Sequence, residues 1–444
     1  EALSRIDRFV CDIKETQFGD GLHIFGRKCG QKLPFETASS ELAEQRAIRN
    51  ALSGKRIPAG PSGSPYRGRM DVLPSGRNLF ATDPLSVPTR AAYAQGIKLA
   101  EEFIRRHLQD KGDWPSGVIV DLWGSATMRT AGEEFAMALH LLGIKPVWAD
   151  GSERVSGFEI LPLITLDRPR IDVTLRVSGL FRDVFPTLSN LYQQAIDALS
   201  KREESSDWNP YTSGVENARI YGPAPQSYGL GMGSATEDFS DAGRRVAAEA
   251  WLEASSYAIK GDRAYQDKKG LKDRITKADS FVHLQDMPET DLLLSADYAA
   301  HEAGFAAAKK FIGGSVSLYH LDNTDPKNPT SRTLAEEIAR VVYARACNPN
   351  WLIGMKRHGF RGAAEISATL FHMSAFANLA DVVGPHLFDS YHDATLGNDD
   401  IVKFMSKYNP EALAAMRDCF EKLYHSGLWK TRRNFILGDL EVSA

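Results

Sequence analysis

This chain has few cysteines, no long apolar run and no excess of basic residues, and each of these features excludes a class of protein. The four cysteines, Cys11, Cys29, Cys347 and Cys419, lie far apart and form no Cys-x-x-Cys pair. That spacing excludes the usual zinc signatures and a dense disulfide framework. We therefore expect reduced, mostly buried thiols in a cytoplasmic protein.

No apolar stretch approaches the roughly 18 residues that a membrane-spanning helix needs, and we expect no membrane span. No basic and then apolar leader opens the chain either. It begins at Glu1 and enters a patterned segment directly, which favours a piece of a longer polypeptide. The formal net charge of -4 supplies no basic excess to neutralise phosphates, so we expect no nucleic-acid partner.

The remaining composition is that of a globular protein, and a length of 444 residues predicts two or three domains. Residues 39–54 have the serine start and glycine stop of a helix, and the Pro/Gly/Ser-rich stretch 57–69 predicts a loop. Helical spacing after Thr89 then alternates with short apolar runs, which predict strands at 118–123, 145–148, 160–164 and 173–177. Helices are predicted at 133–142 and from Pro186. This alternation predicts an α/β layer with a mainly parallel sheet.

The second half predicts a mainly α-helical region. Residues 206–234 are rich in Gly, Pro and Ser and predict a long functional loop. Helical pattern follows from 244 to about 310, and then one strand at 316–320. Thr333 and Glu336 have the spacing of a capping box. We divide the chain into a helix/loop segment (1–80), an α/β domain (81–205), a loop-rich and helical region (206–330) and a C-terminal helical region (331–444).

Polar residues with metal-binding or proton-accepting chemistry concentrate in residues 281–305. The stretch holds nine such residues: His283, Gln285, Asp286, Glu289, Asp291, Asp297, Tyr298, His301 and Glu302. The site candidates among them are His283, Gln285, Asp286, Asp297, Tyr298 and His301. On a helix, Asp297 and His301 at spacing i, i+4 share one face. Imidazole and carboxylate can bind a divalent metal and release it, or accept protons. A solvated acidic helix edge is the structural alternative.

Further positions outside this stretch could contact a ligand. Glu133 follows a predicted strand end, where α/β sheets build their sites, although a helix N-terminus also favours an acid there. Arg129 and Arg182 carry the planar fork that suits a carboxylate, and Arg182 could equally pair with Asp183. His358 lies at a predicted helix-to-loop boundary. His320 and Asp322 follow a predicted strand end and are weaker candidates for a pocket.

A glycine-rich segment, YGLGMG at 228–233, superficially resembles a nucleotide-binding loop. It lacks the Lys-Ser/Thr of a P-loop, and the residues before it do not read as a strand. We therefore expect no nucleotide on this chain.

Four sequence blocks in one order carry a family resemblance. They are YRGRMDVLPSGRN (66–78), DLWGSATMRTAGEE (121–134), RPRIDVTLRVSGLFRDVFP (168–186) and MKRHGFRGAAE (355–365). They resemble the large subunits of aerobic cobaltochelatases of the CobN type and, more distantly, the H subunits of magnesium chelatases. The resemblance extends over essentially the whole chain, which would correspond to about the C-terminal third of such a large polypeptide.

This resemblance implies an enzyme that inserts Co(II) into hydrogenobyrinic acid a,c-diamide during adenosylcobalamin synthesis. ATP and Mg²⁺ would be used by separate AAA+-type partner subunits. The resemblance also implies a functional role for Glu133 and a shared substrate-binding role for His358. His283 and His301 favour cobalt, since the magnesium enzymes are expected to lack both.

Three other interpretations remain open at this point. A magnesium- or nickel-directed chelatase of the same superfamily would share the blocks. A non-catalytic tetrapyrrole-binding scaffold would keep the fold and bind pigment without inserting metal. A generic α/β nucleotide enzyme would bind nucleotide in this isolated chain.

Overall fold

A computed structural model describes residues 2–16, 24–27, 38–61, 63, 65, 69–80, 83–213, 218–261 and 263–433. The start of the first family block, residues 66–68, lies outside these ranges. Among the described residues, no helix combines the length and the apolar character needed to cross a membrane. Cys11 is exposed, Cys347 half-buried and Cys419 buried, and all three are free thiols.

The described strands form one large sheet and two small ones. In chain order they are β1 (Ala59–Pro61), β2 (Asn78–Phe80), β3 (Gly117–Leu122), β4 (Ile144–Trp148), β5 (Val155–Ile160), β6 (Asp172–Val177), β7 (Ile220–Gly222), β8 (Tyr257–Lys260), β9 (Arg263–Gln266), β10 (Ser280–Gln285), β11 (Ser317–Asp322) and β12 (Thr330–Thr333). The large sheet has eight strands in the order β12-β11-β10-β3-β6-β7-β8-β9. Its five strands from β11 to β7 are parallel, and the remaining pairings are antiparallel.

Helices cover both faces of this sheet and make up most of the C-terminal region. They are α1 (Ala2–Glu15), α2 (Ala38–Leu52), α3 (Arg90–Lys111), α4 (Gly124–Thr130), α5 (Glu133–Leu142), α6 (Leu163–Leu166), α7 (Gly179–Val184), α8 (Pro186–Leu199), α9 (Asp241–Glu253), α10 (Lys268–Lys277), α11 (Ala296–Tyr298), α12 (Gly304–Ile312), α13 (Leu334–Val341), α14 (Pro349–Lys356), α15 (Gly359–Ala380), α16 (Pro385–Ala394), α17 (Asp399–Tyr408) and α18 (Pro410–His425). A π-helical turn, Ala299–Ala303, joins α11 to α12 without a break.

Local sequence signals explain many of these boundaries. The Thr89 hydroxyl accepts from the Ala92 N–H and caps α3, which ends at Gly112 in the left-handed conformation. Both hydrogen bonds of the predicted capping box at Thr333 and Glu336 are present. β3 and β6 are buried along their whole length, which confirms the predicted α/β fold with a mainly parallel sheet.

Two apolar clusters lie on opposite faces of the sheet. Val118 and Val120 of β3 face one cluster, which also contains residues of α3, α5 and α8. Ile119 of β3 and Phe281 of β10 belong to the other cluster, together with residues of α9, α12 and the C-terminal helices. This alternation along β3 is the period of two expected of a strand buried on both sides.

Several predicted elements were wrong. Residues 280–285 were predicted to be helical but form the strand β10. The prediction failed because this short segment has too few apolar residues to show whether they repeat with the period of a helix or of a strand. The predicted strand at 160–164 is instead the end of β5 and the short helix α6, and β4 lies in a separate hairpin with β5. The turn predicted before Glu133 contains α4. The large sheet takes strands from both 81–205 and 206–330, so it crosses that predicted boundary.

Candidate functional site

A row of polar side chains crosses the middle of the large sheet. Cross-strand neighbours on β11, β10, β3 and β6 are, in that order, His320, His283, Asp121 and Arg176. Neighbours in register point to the same face, which is the one that Ile119 and Phe281 share. All four are buried near the carboxyl ends of parallel strands, where α/β sheets place ligand sites.

The π-helical turn brings two more polar groups to this row. His301 and Glu302 are consecutive residues of the turn, and Glu302 is buried. Such turns are rare and occur frequently at functional sites. Both adjacent side chains reach the sheet, His301 toward Asp121 and Glu302 toward His320.

Asp121 is the centre of the hydrogen-bond network. Its Oδ2 lies 2.8 Å from His301 Nδ1 and accepts from Trp123 Nε1 at 2.8 Å. Its Oδ1 accepts from Arg176 at 3.2 Å. His283 Nδ1 lies 3.4 Å from the same Oδ2 and forms no hydrogen bond.

His320 makes a second imidazole–carboxylate pair on the other side of His283. Its Nδ1 lies 3.0 Å from Glu302 Oε1, and its Nε2 lies 3.0 Å from Gln285 Oε1. Gln285 donates its amide hydrogens to the carbonyl oxygens of Met287 and Thr290. The predicted ligand-binding Gln285 therefore holds His320.

Aromatic rings enclose the imidazoles. Trp123 packs edge-on against His283 and His301, at centroid distances of 4.6 Å and 4.9 Å. Tyr298 contacts Trp123 and His283, at 5.2 Å and 5.3 Å. Burial, together with nearby Asp286 and Glu302, raises the pKa of the Tyr298 hydroxyl, so this ring remains uncharged.

Burial and neighbouring charges set the ionisation of the cluster. Burial opposes ionisation of Asp121, but His301, Arg176 and hydrogen bonding outweigh it and hold its pKa well below the usual range. Burial lowers the pKa of His301, against the attraction of Asp121. For His320 the net shift is upward, because the attraction of Glu302 outweighs the effect of burial and raises the pKa.

Arg129, Asp286 and two glutamates form a polar region beside the cluster. Arg129 binds Asp286 through two hydrogen bonds of 2.7 Å and 2.9 Å. Glu133 accepts from Asn323 at 2.6 Å, and Asn323 accepts from Gln95. Glu134 accepts from the Thr127 and Thr130 hydroxyls, and burial raises its pKa to about 7.

Asp297 lies away from this network. Its side chain is exposed, and it lines a cavity of about 410 Å³ together with Ala299, Glu237 and His372. Gly231 and Gly233 of the glycine-rich segment form another part of the wall. In the part of the chain that the structure describes, no three or more His, Cys, Asp or Glu side chains are arranged to hold a metal ion.

The structure does not bring Arg182 or His358 into the cluster's hydrogen bonds. Arg182 pairs with Asp183 through two hydrogen bonds and donates to the carbonyls of Pro223 and Ala224, so it anchors that loop. His358 is half-buried at the N-cap of α15, in the short turn between α14 and α15, and does not precede a loop as predicted.

Three residues of this site, Asp121, Trp123 and Arg176, were not singled out as functional from sequence. Glu302 belonged to the predicted polar stretch, and His320 was a weaker pocket candidate. A signal was available for Asp121 and Arg176, because each is a charge inside a predicted buried strand and so requires a partner. The partners themselves come from distant segments.

A mainly parallel sheet whose strand ends carry a buried cluster of imidazoles and carboxylates defines an α/β protein with a polar site at those ends. A family model described as CobN/Magnesium Chelatase matches residues 28–436. This chain belongs to the CobN/magnesium chelatase family.

Individual relatives agree with this assignment. The chain is 40% identical to the aerobic cobaltochelatase subunit CobN of Pseudomonas aeruginosa, over 87% of this chain and 33% of the relative. It is 25% identical to the magnesium-chelatase H subunit of Chlorobaculum parvum, over 92% of this chain and 33% of the relative. The catalytic subunit of cobaltochelatase from Mycobacterium tuberculosis superimposes with a TM-score of 0.86 at 32% identity, covering 90% of this chain and 36% of that one. The chain thus spans about a third of the length of these relatives.

Proposed function

We propose that this chain carries the metal-insertion site of a cobaltochelatase large subunit. The observation that carries the proposal is the buried His–carboxylate cluster around Asp121, in a chain 40% identical to a CobN subunit. In the proposed reaction, Co(II) enters hydrogenobyrinic acid a,c-diamide in the cytoplasm, and two ring N–H protons leave. AAA+-type partner subunits hydrolyse ATP with Mg²⁺, and this chain binds no nucleotide.

His301 and His283 are our candidates for the central chemistry. A ring N–H proton needs an acceptor that is unprotonated at working pH, and burial lowers the pKa of His301 in that direction. Imidazole nitrogen binds Co(II) without closing a permanent cage around it. Asp297 at the cavity and then His283 and His301 inside would give the metal successive ligands. Glu133 and Asp286 would assist with protons from the neighbouring polar region.

Arg129 is the better supported of the two candidate carboxylate clamps. Its side chain is 22% exposed, and its partner Asp286 belongs to the site. Arg182 is 8% exposed and already uses most of its donors in the loop contacts. Tyr298 would pack against the macrocycle, Gln285 would act through His320, and His358 would contact the periphery of the substrate.

Titration of this chain with metal-free hydrogenobyrinic acid a,c-diamide, followed by visible absorption, tests the proposal first. We expect saturable binding at about one equivalent. In the full-length subunit with its ATPase partners, His283→Gln and His301→Gln should each lower cobalt insertion by about 100-fold or more, with tetrapyrrole binding retained. His425→Gln, on the surface of α18, is the matched control and should insert cobalt normally.

Each alternative predicts a distinct result. Cobalt insertion that survives the double substitution of His283 and His301 would favour a chelatase directed to magnesium or nickel. Pigment binding without any insertion, with active partners present, would identify a scaffold. Failure of both this chain and the full-length subunit to bind the tetrapyrrole would refute the proposal.

A further inference from the structure

The cavity of about 410 Å³ is separated from the buried cluster only by the π-helical turn. Ala299 and Ala300 of this turn line the cavity, whereas the next residue, His301, reaches Asp121 on the sheet. The volume is within the range of small-molecule sites. Because the cavity adjoins the cluster, it has room for a peripheral arm of a ligand that is bound there.

His372 of α15 presents a hydrogen-bond acceptor to this cavity. Its Nδ1 lies 2.7 Å from the carbonyl oxygen of Leu293, which can only accept, so Nδ1 carries a proton. Burial lowers the pKa of this imidazole, and the neutral ring has its lone pair on Nε2. Nε2 forms no hydrogen bond within the described residues and is not among their enclosed unpaired atoms. It is therefore open to the cavity that the ring lines.

The wall of the cavity carries negative charge. Asp297 and Glu237 line it, and both are exposed. No Lys or Arg is among the described residues of the wall. Lys422 lies near Glu237 but outside the wall, and its Nζ is 2.7 Å from Asp418 Oδ2. A carboxylate that entered the cavity would thus be repelled by two carboxylates and by the lone pair of His372.

The glycine-rich segment adds hydrogen-bond donors to the same wall. Gly231 and Met232 line the cavity, and their backbone N–H groups form no hydrogen bond within the described residues. Donors and acceptors in one wall match a carboxamide, which has both an N–H₂ group and a carbonyl oxygen. A divalent metal ion needs acceptors alone. The chemistry of the wall therefore favours a carboxamide over a carboxylate or a metal ion.

We propose that this cavity binds a carboxamide arm of the tetrapyrrole, with His372 Nε2 accepting from the amide N–H₂ group, and disfavours the same arm as a carboxylate. His372 is then a specificity-determining residue. The inference deepens the function proposed above and rests on it, because the substrate named there carries two amidated arms. Arg129, the candidate clamp for carboxylate arms, is not part of this wall.

Metal-free titrations of the full-length subunit with hydrogenobyrinic acid a,c-diamide and with the parent acid, followed by visible absorption, measure the discrimination. We expect the diamide to bind about tenfold more tightly, because the acid loses hydrogen bonds and gains repulsion. Equal affinity for the two tetrapyrroles would overturn the proposal.

His372→Asn separates the acceptor from the structural contact. Asparagine places an amide N–H₂ group where Nδ1 lies, so the bond to Leu293 can persist, but it has no atom at the position of Nε2. We expect affinity for the diamide to fall about three- to tenfold and affinity for the parent acid to change less than about twofold. His372→Gln, which can present its amide oxygen near the position of Nε2, should retain the preference. An equal loss of affinity for both tetrapyrroles in His372→Asn would show a structural role only and refute the assignment.

Glu237→Lys tests the charge of the wall. A cation there should raise affinity for the parent acid about threefold, which is the effect of an exposed ion pair. Glu203→Lys, at an exposed position after α8, is the matched control and should bind both tetrapyrroles as the wild type does. Wild-type affinity for the acid in Glu237→Lys would contradict the placement of the arm.

The outcomes separate this inference from the proposed function. If the two tetrapyrroles bind equally and cobalt is still inserted with the partner subunits present, the inference fails and the proposed function stands. If neither tetrapyrrole binds to the full-length subunit, both are refuted.

Discussion

Burial of the Glu134 carboxyl makes the stability of the folded protein depend on pH. It is 1% exposed, its two oxygens are held by the hydroxyls of Thr127 and Thr130, and burial raises its pKa from 4.5 to about 7. An acid whose pKa is raised on folding stabilises the fold below its unfolded pKa. That contribution disappears as pH rises through the folded value.

Glu134→Gln should therefore flatten the pH dependence of stability. Between pH 4.5 and about 7 the wild-type chain should lose roughly 3 kcal/mol from this group, because the unfolded chain releases the proton that the folded chain retains. Denaturant unfolding at several pH values measures it. Glu203→Gln, on the surface, is the control. A variant whose stability still follows the wild-type curve would contradict the role of Glu134.

At the residue scale, sequence singled out titratable side chains of the cluster but not their contacts. His283, His301 and Asp286 were found because they are titratable residues concentrated in one stretch. Asp121 and Arg176, which contact the two histidines, come from strands more than 100 residues earlier, and only strand register shows that they meet. Asp286 pairs with Arg129, which is equally distant in the sequence. The i, i+4 spacing of Asp297 and His301 did not bring the two side chains to one site, because Asp297 lines the cavity and His301 contacts Asp121.

At the scale of elements, the close packing of α3 against α5 restricts which residue can occupy position 96. α3 and α5 cross where Gly96 has no side chain, and a Cβ there would lie 2.6 Å from Met137 N and 2.7 Å from Ala136 Cβ. α3 also holds Gln95 and α5 begins with Glu133, so this crossing positions the Gln95–Asn323–Glu133 chain.

Gly96→Ala should lower the free energy of unfolding by about 1–3 kcal/mol, because two backbones must separate. Helix propensity alone predicts the opposite, a gain of about 1 kcal/mol. The denaturant midpoint distinguishes the two. Gly157→Ala in β5, where a Cβ would meet nothing within 4 Å, should change stability by less than about 0.5 kcal/mol. A raised midpoint for Gly96→Ala would show that α3 can move away freely.

Sequence also predicted some elements much better than others. Helices with clear caps, such as α3 and α13, were confirmed near their ends. β10 was missed because six buried residues with polar ones among them fit a helix equally well. That miss hid the strand that carries His283.

The whole molecule is organised around one sheet shared by most of the chain. One apolar cluster joins Ile119 and Phe281 of the sheet to Leu370, Phe376 and Phe420 of the C-terminal helices. The other cluster lies across the sheet from it. Neither half of the described chain buries its apolar surface without strands of the other.

We therefore expect this chain to unfold in one cooperative transition despite its length. Circular dichroism and tryptophan fluorescence should give coincident denaturant curves, because removal of the C-terminal helices exposes the sheet. Two separated transitions would mean that the C-terminal helical region is an independent unit.

The row of side chains across the sheet also determines when the site can exist during synthesis. Asp121 and Arg176 pair on neighbouring strands, but His283 enters only when β10 inserts beside β3, and His320 follows on β11. A nascent chain released before β10 and β11 contains the acid and the arginine without the imidazoles. The imidazoles of β10 and β11 would thus join the cluster only after Asp121 and Arg176 have been made, so the proposed metal-insertion site would be incomplete in shorter nascent chains.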